Sequence, residues 1–334
     1  MHPIDIVIPW VDGHDLEWLK KFNSYTAEKN RKDIDCEENR YYDTGLLKYW
    51  FRGIEKCAPW INKIFFVTDN QIPEWLNTNN PKLIIVNHID YIPSQYLPTF
   101  SANPIELNFH RINGLSEHFI YFNDDMFLLN PATPDYFFEK RLPKATAIFS
   151  LMHLKMPGIK DGIRDIVCND INAINEFYTP QKTIKKNILK WFNLKYKKYN
   201  LFNFSLLMYR FFPGLRYEHY ATPYLKSSFE EAWKLWPALL DNTCKNKFRS
   251  SEDVNQYLIY YYQVVTGRFI PEKILYQKKY YKLSEHTVSE ICRTIKGKDT
   301  ISFCLNDGND SRPYYPAVIK AFEEKFPEKS SFEI

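Results

Sequence analysis

Residues 4–13 read IDIVIPWVDG, an apolar run that stops at a polar turn containing an acid. Four further segments repeat this layout: KIFFVTDNQ (63–71), KLIIVNHID (82–90), HFIYFNDD (118–125) and TISFCLNDG (300–308). Short runs that are apolar at consecutive positions are typical of strands buried on both faces. We therefore predict five buried strands, each followed by an acidic turn.

Helical segments are predicted between these strands. The first runs from Asp43 to about Cys57, with Asp43 as its N-cap and Pro59 just beyond its end. Strands that alternate with helices favour an α/β fold with an open, mostly parallel, Rossmann-like sheet and flanking helices. Ligands of such sheets bind outside the carboxyl ends of the strands. Asp and Asn also favour turns for local reasons, but acids at all five strand ends together favour a binding site.

The 334 residues suffice for one large α/β unit with a helical addition, or for two packed domains. A change in composition divides the chain into an N-terminal part of the catalytic core (1–150), a basic and aromatic helical insertion (151–217) and a C-terminal part of the core (218–334). The amphipathic pattern of the insertion fits two alternatives. Its lysines form a solvated face, or the segment is an interfacial surface that meets anionic lipid or a lipid-linked acceptor.

Composition argues against several classes of protein. The net charge of +4 is too small to favour nucleic acid as a partner, and the absence of GxGxxG and GxxxxGKS disfavours a dinucleotide or P-loop site. The six cysteines form no CxxC pair, so we expect reduced thiols. No secretion signal is recognisable, and no apolar run reaches the roughly 20 residues that span a bilayer. We expect a cytoplasmic protein, associated at most with the inner face of the membrane.

Residues 119–128, FIYFNDDMFL, carry the strongest local signal for chemistry. They place Asn123, Asp124 and Asp125 together at the end of a predicted strand. Adjacent carboxylates suit a divalent cation that bridges diphosphate oxygens, because hard cations take oxygen ligands. The same pair would also serve as a cap of the following segment. A metal site is thus one of two interpretations of this turn.

Two segments, one before and one after this turn, contain candidate acid–base groups. Glu106 and His110 are four residues apart and would share one face of a helix, a spacing that suits acid–base chemistry and a surface pair equally well. His219 lies in a polar, loop-like segment, where functional side chains concentrate. A helix should follow it, because Ser228 and Glu231 have the spacing of a capping box.

Arg249 immediately precedes a helix predicted from about Ser250 to Thr266, with Ser250 or Ser251 as its cap, acids in its first turn and Gly267 as its stop. A guanidinium beside the amino terminus of a helix would make a good phosphate site. The alternative is an ion pair between Arg249 and an acid of the first turn.

Four blocks of the sequence, taken in order, resemble the Stealth family of bacterial capsular polysaccharide hexose-1-phosphate transferases. This family shares its catalytic regions with the animal GlcNAc-1-phosphotransferase. The blocks are IDIVIPWVDGHD; the run from Arg40 through APWINKIFFVTDNQIPEWLN and LPTFSANPIE to HRINGLSEHFIYFNDDMFL; EHYATPYLK with RSSEDVNQYLIYYY; and ISFCLNDG with the trailing FPEKSSFE. The third block departs from the commoner spelling, because Tyr220, Ala221 and Thr222 separate His219 from Pro223.

The resemblance implies a nucleotide-sugar donor, usually a UDP-sugar such as UDP-GlcNAc, and Mg²⁺ or Mn²⁺ as cofactor. We expect the metal on Asp124 and Asp125, because charge on the phosphoryl oxygens must be neutralised. The residues that the resemblance implies to be catalytic are Glu106, Asp125, His219 and Arg249. The residues that it implies to bind substrate are Asp5, Asp12, Arg40, Asn123 and Asp307.

The expected reaction transfers a sugar-1-phosphate to a hydroxyl of a glycan acceptor, as a step in the synthesis of capsular or cell-surface polysaccharide. It forms a phosphodiester and releases a nucleoside monophosphate. Either Glu106 or His219 accepts the hydroxyl proton. Two alternatives compete: a metal-dependent glycosyltransferase, which would release a nucleoside diphosphate, and a glycan-binding protein without catalysis.

Overall fold

The computed structural model describes residues 2–27, 41–151, 162–308 and 310–334. A five-stranded sheet with the order β3-β2-β1-β4-β8 lies at its centre. The first four strands along the chain are parallel, and β8 pairs antiparallel with β4 at the edge. The strands of this sheet are β1 (Ile4–Pro9), β2 (Ile64–Thr68), β3 (Leu83–Asn87), β4 (His118–Tyr121) and β8 (Thr222–Leu225).

Alternate side chains of the central strands face two separate cores, as the period of two in a strand requires. Val7, Phe65 and Phe119 belong to one core. Their neighbours Ile6 and Phe66 belong to the other. Both faces of the sheet are thereby covered, which explains why the strands read as continuous apolar runs and confirms the predicted α/β fold class.

Helices cover the two faces. The first core receives side chains from α6, α10, α11 and α12, and the second from α2, α13 and α14. The helices are α1 (Leu16–Ala27), α2 (Leu47–Cys57), α3 (His88–Tyr91), α4 (Ala102–Leu107), α5 (Pro134–Phe137), α6 (Gly162–Phe177), α7 (Pro180–Lys186), α8 (Ile188–Trp191), α9 (Asn200–Leu206), α10 (Lys226–Leu235), α11 (Pro237–Lys245), α12 (Gln256–Thr266), α13 (Val288–Lys296) and α14 (Tyr315–Lys325).

The described part of the insertion is helical, as predicted, and consists of α6 to α9 with a 3₁₀ segment before α9. Its apolar side chains contribute to the first core, so the insertion packs on the sheet's helical layer. The division into three parts at residues 150 and 217 stays a prediction. Within the described ranges, each helix is too short or too polar to cross a bilayer.

Two smaller three-stranded sheets flank the main one, with the orders β10-β11-β5 and β6-β7-β9. The predicted strand at 300–308 forms, but as β11 of the first small sheet rather than beside the other four. There it pairs antiparallel with β5, which continues the chain directly after the Asn123–Asp125 turn. The strands are β5 (Met126–Leu128), β6 (Phe138–Glu139), β7 (Leu142–Ala145), β9 (Ile270–Pro271), β10 (Lys278–Lys282) and β11 (Ser302–Asn306).

Two of the predicted helix starts are wrong. The N-cap of α2 is Leu46, and the Asp43 carboxylate instead accepts a hydrogen bond from the Gly45 amide at 3.1 Å. Helix α10 begins at Lys226, so the predicted capping box lies inside the helix, where Glu231 pairs with Arg268 at 2.7 Å.

The start of α12 is also corrected, whereas its end is confirmed. Its N-cap is Asn255, whose side chain accepts from the Tyr257 amide, so Ser250 and Ser251 lie outside the helix. Gly267 ends the helix in the left-handed conformation, with φ of 76°, as the C-cap position favours.

Asp5 lies at the amino-terminal end of β1 and is fully buried. Its two carboxylate oxygens accept from the Asn62 amide side chain and the Ser116 backbone amide, both at 2.8 Å. It therefore ties together the loops before β2 and β4, at the end of the sheet opposite to the strand ends where ligands of such folds bind.

Replacement of Asp5 by Ala should lower the free energy of unfolding by about 2 to 4 kcal/mol, because two buried donors would lose a charged acceptor. Urea unfolding of wild type and variant would measure this loss. At a temperature where the variant is folded, its KM for the donor should equal that of wild type. An increased KM with unchanged stability would show instead that Asp5 binds substrate.

Candidate active site

The carboxyl ends of β1 and β4 define the candidate site. These strands are neighbours in the sheet, and the strand order reverses direction between them, which is where open α/β sheets bind ligands. Asp12 follows β1 and the Asn123–Asp125 turn follows β4. The backbone of Asp12 is fixed by the side chain of Gln71, which accepts from its amide at 2.9 Å and donates to its carbonyl at 2.8 Å.

Asp125 connects the turn after β4 to two distant segments. Its Oδ2 lies 3.2 Å from His219 Nε2 and 3.4 Å from Cys304 Sγ. Its backbone carbonyl accepts from the Leu305 amide at 2.8 Å, which holds β11 beside the turn. Its Oδ1 is buried and has no hydrogen-bond partner within the described part of the chain. A buried, unpaired carboxylate oxygen is costly, and a bound cation would satisfy it.

His219 lies just before β8 and is held through both ring nitrogens. Nε2 faces Asp125, and Nδ1 lies 3.0 Å from the Tyr257 hydroxyl. Burial alone would lower the pKa of His219, but the charge of Asp125 and its hydrogen bond outweigh this and raise the pKa above its usual value. The Asp125 carboxylate thus favours the protonated, positively charged form of the ring.

Glu106, on α4, is buried with 4% of its surface exposed. The Tyr121 hydroxyl lies 2.5 Å from Glu106 Oε1 and 2.7 Å from Asn123 Oδ1. The Tyr121 hydroxyl thus lies between Glu106 and the turn that follows β4. Burial raises the pKa of Glu106 to about 7, against the opposing effects of the Tyr121 hydrogen bond and the charge of Arg249.

Arg249 reaches the site from a different position than predicted. It lies seven residues before the first residue of α12 and therefore does not immediately precede that helix in the chain. Its positive charge acts on Glu106 and on Asp253. Asp253 Oδ2 also accepts from the Ser250 amide at 2.9 Å and fixes the loop that carries Arg249.

His110 does not join Glu106. Helix α4 ends at Leu107, and His110 belongs to the following 3₁₀ turn, so the two residues do not share a helical face. The imidazole packs near the rings of Phe229 and Trp233. Burial lowers the pKa of His110 to about 3, which keeps the ring neutral.

Further acids surround Asp125. Desolvation, and then the negative charges of Asp125 and Asp43, raise the pKa of Asp124, even though this residue keeps exposed surface. Asp307 follows β11, bonds to Tyr315 and acts on that phenol together with Asp124 and Asp125. Asp307 and Asp125 thus both lie within electrostatic reach of the Tyr315 phenol.

The structure thus brings together most of the residues named from the sequence, but their roles stay predictions. Asp5 lies apart, and Arg40 lies outside the described residues. Sequence reasoning missed four contributors. Asp43 was interpreted as a helix cap, and the two tyrosines and the cysteine lie within apolar segments, where nothing distinguishes them from core residues. The missed residues are Asp43, Tyr121, Tyr257 and Cys304.

Two sets of side chains suit a metal ion. The carboxylates of Asp124 and Asp125 are oxygen ligands of the kind that Mg²⁺ and Mn²⁺ prefer. Asp125, His219 and Cys304 form a second set, with one ligand atom each and all three atoms within 4.8 Å of one another. Asp125 belongs to both sets.

Comparison with known proteins agrees with this geometry. Residues 2–29 match the family described as Stealth protein CR1, conserved region 1, and residues 40–145 match Stealth protein CR2, conserved region 2. The chain is 40% identical over 337 residues to a capsular polysaccharide phosphotransferase of Streptococcus pneumoniae, covering all of this chain and 98% of the relative. It is 36% identical over 335 residues to an exopolysaccharide phosphotransferase of Lactiplantibacillus plantarum, covering 99% of this chain and 96% of the relative. It is 37% identical over 344 residues to a receptor polysaccharide phosphotransferase of Streptococcus gordonii, covering 99% of each.

The chain has a Rossmann-like sheet with acids at its switch point and is similar over its full length to proteins named phosphotransferases, so its class is that of the phosphotransferase enzymes. Within that class it belongs to the Stealth family.

The raised pKa of Glu106 predicts a pH-dependent effect of Glu106→Gln. The folded-state pKa of about 7 exceeds the ordinary value of 4.5, so ionisation of Glu106 destabilises the fold as pH rises through 7. The neutral Gln variant avoids this loss. Between pH 5 and pH 8, in chelator, its unfolding free energy relative to wild type should rise by about 1 to 3 kcal/mol. The exposed Glu285→Gln is the matched control, and a pH-independent difference for Glu106→Gln would contradict the assignment.

Proposed function

We propose that this enzyme transfers a sugar-1-phosphate from a nucleotide-sugar to a hydroxyl of a glycan acceptor, in the synthesis of capsular or cell-surface polysaccharide. The donor is a UDP-sugar such as UDP-GlcNAc, and the products are a phosphodiester and a nucleoside monophosphate. The observation that carries the proposal is the meeting of Asp125, His219, Glu106 and Arg249 at the sheet's switch point. The names of the full-length relatives support polysaccharide as the acceptor class.

A divalent cation fits this site. The buried, unpartnered Oδ1 of Asp125 offers it a ligand, and Asp124 is adjacent. Mg²⁺ or Mn²⁺ held there would neutralise charge on the donor's diphosphate. The remaining acids, Asp12 and Asp307, flank this position and, with Asn123, would contact the donor or the metal's water ligands.

We propose Glu106 as the group that accepts the acceptor's hydroxyl proton. His219 Nε2 faces the Asp125 carboxylate, an arrangement that favours the protonated ring over the free base. Glu106 has a pKa of about 7, which is close to the value at which a general base works best near neutral pH. His219, with its raised pKa, would instead present positive charge to the phosphoryl oxygens.

Arg249 would supply the second positive charge. Its guanidinium acts on Glu106, so it lies near the same end of the crevice. A planar guanidinium can donate two parallel hydrogen bonds to phosphoryl oxygens. As negative charge moves to the leaving nucleotide, Arg249 and His219 would hold it without reorganisation.

The nucleotide that is released distinguishes the proposal from its alternatives. With a panel of UDP-sugars and a glycan acceptor, we expect nucleoside monophosphate in an amount equal to the phosphodiester formed. Release of a diphosphate would indicate a glycosyltransferase, and release of neither would indicate a glycan-binding protein.

Excess chelator should abolish turnover, and Mg²⁺ or Mn²⁺ should restore it. Asp125→Asn should lower kcat by about 100-fold or more, whereas Asp135→Asn, in the short helix α5, should leave it unchanged.

We also propose that the acceptor is lipid-linked and that the insertion contacts a membrane as a peripheral surface. No acidic residue occurs between Glu176 and Glu218 in the sequence. Large apolar side chains of this segment are exposed, among them Leu189 at 80%, Leu194 at 93% and Met208 at 84%. Exposed apolar groups among lysines are typical of surfaces that lie at an anionic lipid interface. The inner face of the cytoplasmic membrane is the surface proposed.

Vesicle sedimentation tests this contact. Wild-type protein should sediment with vesicles that contain anionic phosphatidylglycerol and bind weakly to neutral phosphatidylcholine vesicles. The double change Leu189→Glu with Met208→Glu should lose most of this binding. Leu16→Glu with Ile89→Glu is the matched control, because these side chains are 73% and 72% exposed elsewhere on the surface. Equal binding by the two double variants would contradict the proposal.

A further inference from the structure

Asp125, His219 and Cys304 are spaced like three corners of a tetrahedron. Asp125 Oδ2 lies 3.2 Å from His219 Nε2 and 3.4 Å from Cys304 Sγ. Four-coordinate Zn²⁺ has ligand bonds of about 2.0 to 2.3 Å, which separate its ligand atoms by about 3.3 to 3.8 Å. The two measured separations match those edges, and the third edge is at most 4.8 Å. The three side chains are thus placed for a zinc ion with little rearrangement.

Outer contacts hold each of the three groups in place. The Tyr257 hydroxyl lies 3.0 Å from His219 Nδ1 and orients the ring, as partners of metal-bound histidines commonly do. The Leu305 amide donates to the Asp125 carbonyl and fixes the turn against β11, the strand that carries Cys304. Cys304 is fully buried, so its sulfur faces this group and not solvent.

We propose that Asp125, His219 and Cys304 bind Zn²⁺, with water as the fourth ligand, and that zinc bound there inhibits the enzyme. On binding, the thiol proton of Cys304 and the proton on His219 Nε2 pass to solvent, and zinc forms bonds to the thiolate and to the neutral imidazole nitrogen. Thiolate and imidazole are ligands that zinc accepts and Mg²⁺ avoids, so Mg²⁺ does not compete effectively for this set. Inhibition follows because Asp125 and His219, once bound to zinc, are no longer available to interact with the donor. The inhibitory part rests on the proposed function, whereas the zinc site itself does not.

The zinc site is tested by binding to the whole protein. Titration calorimetry with Zn²⁺, in millimolar Mg²⁺, should show one site in wild type. Cys304→Ser should weaken binding at least about tenfold, because it removes a ligand, and Tyr257→Phe should weaken it about 10- to 100-fold by freeing His219. Cys292→Ser, which removes a partly exposed thiol on α13, is the matched control and should bind like wild type.

A second measurement does not depend on Cys304→Ser and covers the case in which that variant fails to fold. Co²⁺ bound by a thiolate gives a near-ultraviolet charge-transfer band, and we expect this band from wild type and from Cys292→Ser. Absence of the band, or equal Zn²⁺ affinity of wild type and folded Cys304→Ser, would overturn the proposal. If the protein binds zinc but releases no nucleotide when assayed without zinc in Mg²⁺, the zinc site stands and the proposed reaction is rejected instead.

Discussion

The parallel pairing of β1 with β2 on one side and β4 on the other is the constraint on which the site depends. Ladder hydrogen bonds continue to the last residues of these strands: Trp10 donates to Val67 at 2.9 Å, and Phe122 donates to Val7 at 3.0 Å. The register is therefore fixed up to the point where the turns begin. The acids after β1 and β4 consequently start at the same edge of the sheet, within reach of one ligand. Since β5 leaves the second turn to join another sheet, Asp125 lies where two sheets meet.

The strands could be predicted from the sequence because a strand that is buried on both faces is a short, continuous apolar run. Amphipathic helices show a different spacing of apolar residues. All five predicted strands exist. The arrangement of the fifth could not be predicted, because a run such as ISFCL is equally apolar whether it extends the main sheet or pairs with β5. Helix starts were less predictable for a related reason. Asp43, Ser228 and Ser250 have side chains that can cap a helix, but Asp43 and Ser250 instead accept from the Gly45 and Glu252 amides of local turns, and Ser228 lies inside α10.

The candidate site was only partly visible in the sequence. Asp124 and Asp125 stand out because two adjacent acids follow an apolar strand. His219 and Arg249 were named through family resemblance, since a single histidine or arginine in a loop carries little information. The contacts of Asp125 with His219 and with Cys304 join residues that are 94 and 179 positions apart in the chain. No local sequence pattern encodes such contacts. Asp5 shows the converse: it matches a family motif, but its buried hydrogen bonds explain its presence structurally.

Helix α6 of the insertion contacts the segments that carry candidate site residues as well as covering the sheet. Asp170, on α6, is fully buried, and its Oδ1 accepts from the Asn255 amide at 3.1 Å. Asn255 caps α12, and the next residues of that helix contact Glu106 through the Gln256 amide and His219 through Tyr257. The neighbouring Asn169 donates to the Ser251 and Asp253 carbonyls, both at 2.9 Å, in the loop that carries Arg249. Burial raises the pKa of Asp170, so this acid is costly to keep where it is. A helix that only lay on the surface would have no need of a buried acid. Helix α6 holds the start of α12 and the loop that carries Arg249, and Asp170 makes one of the contacts that do so.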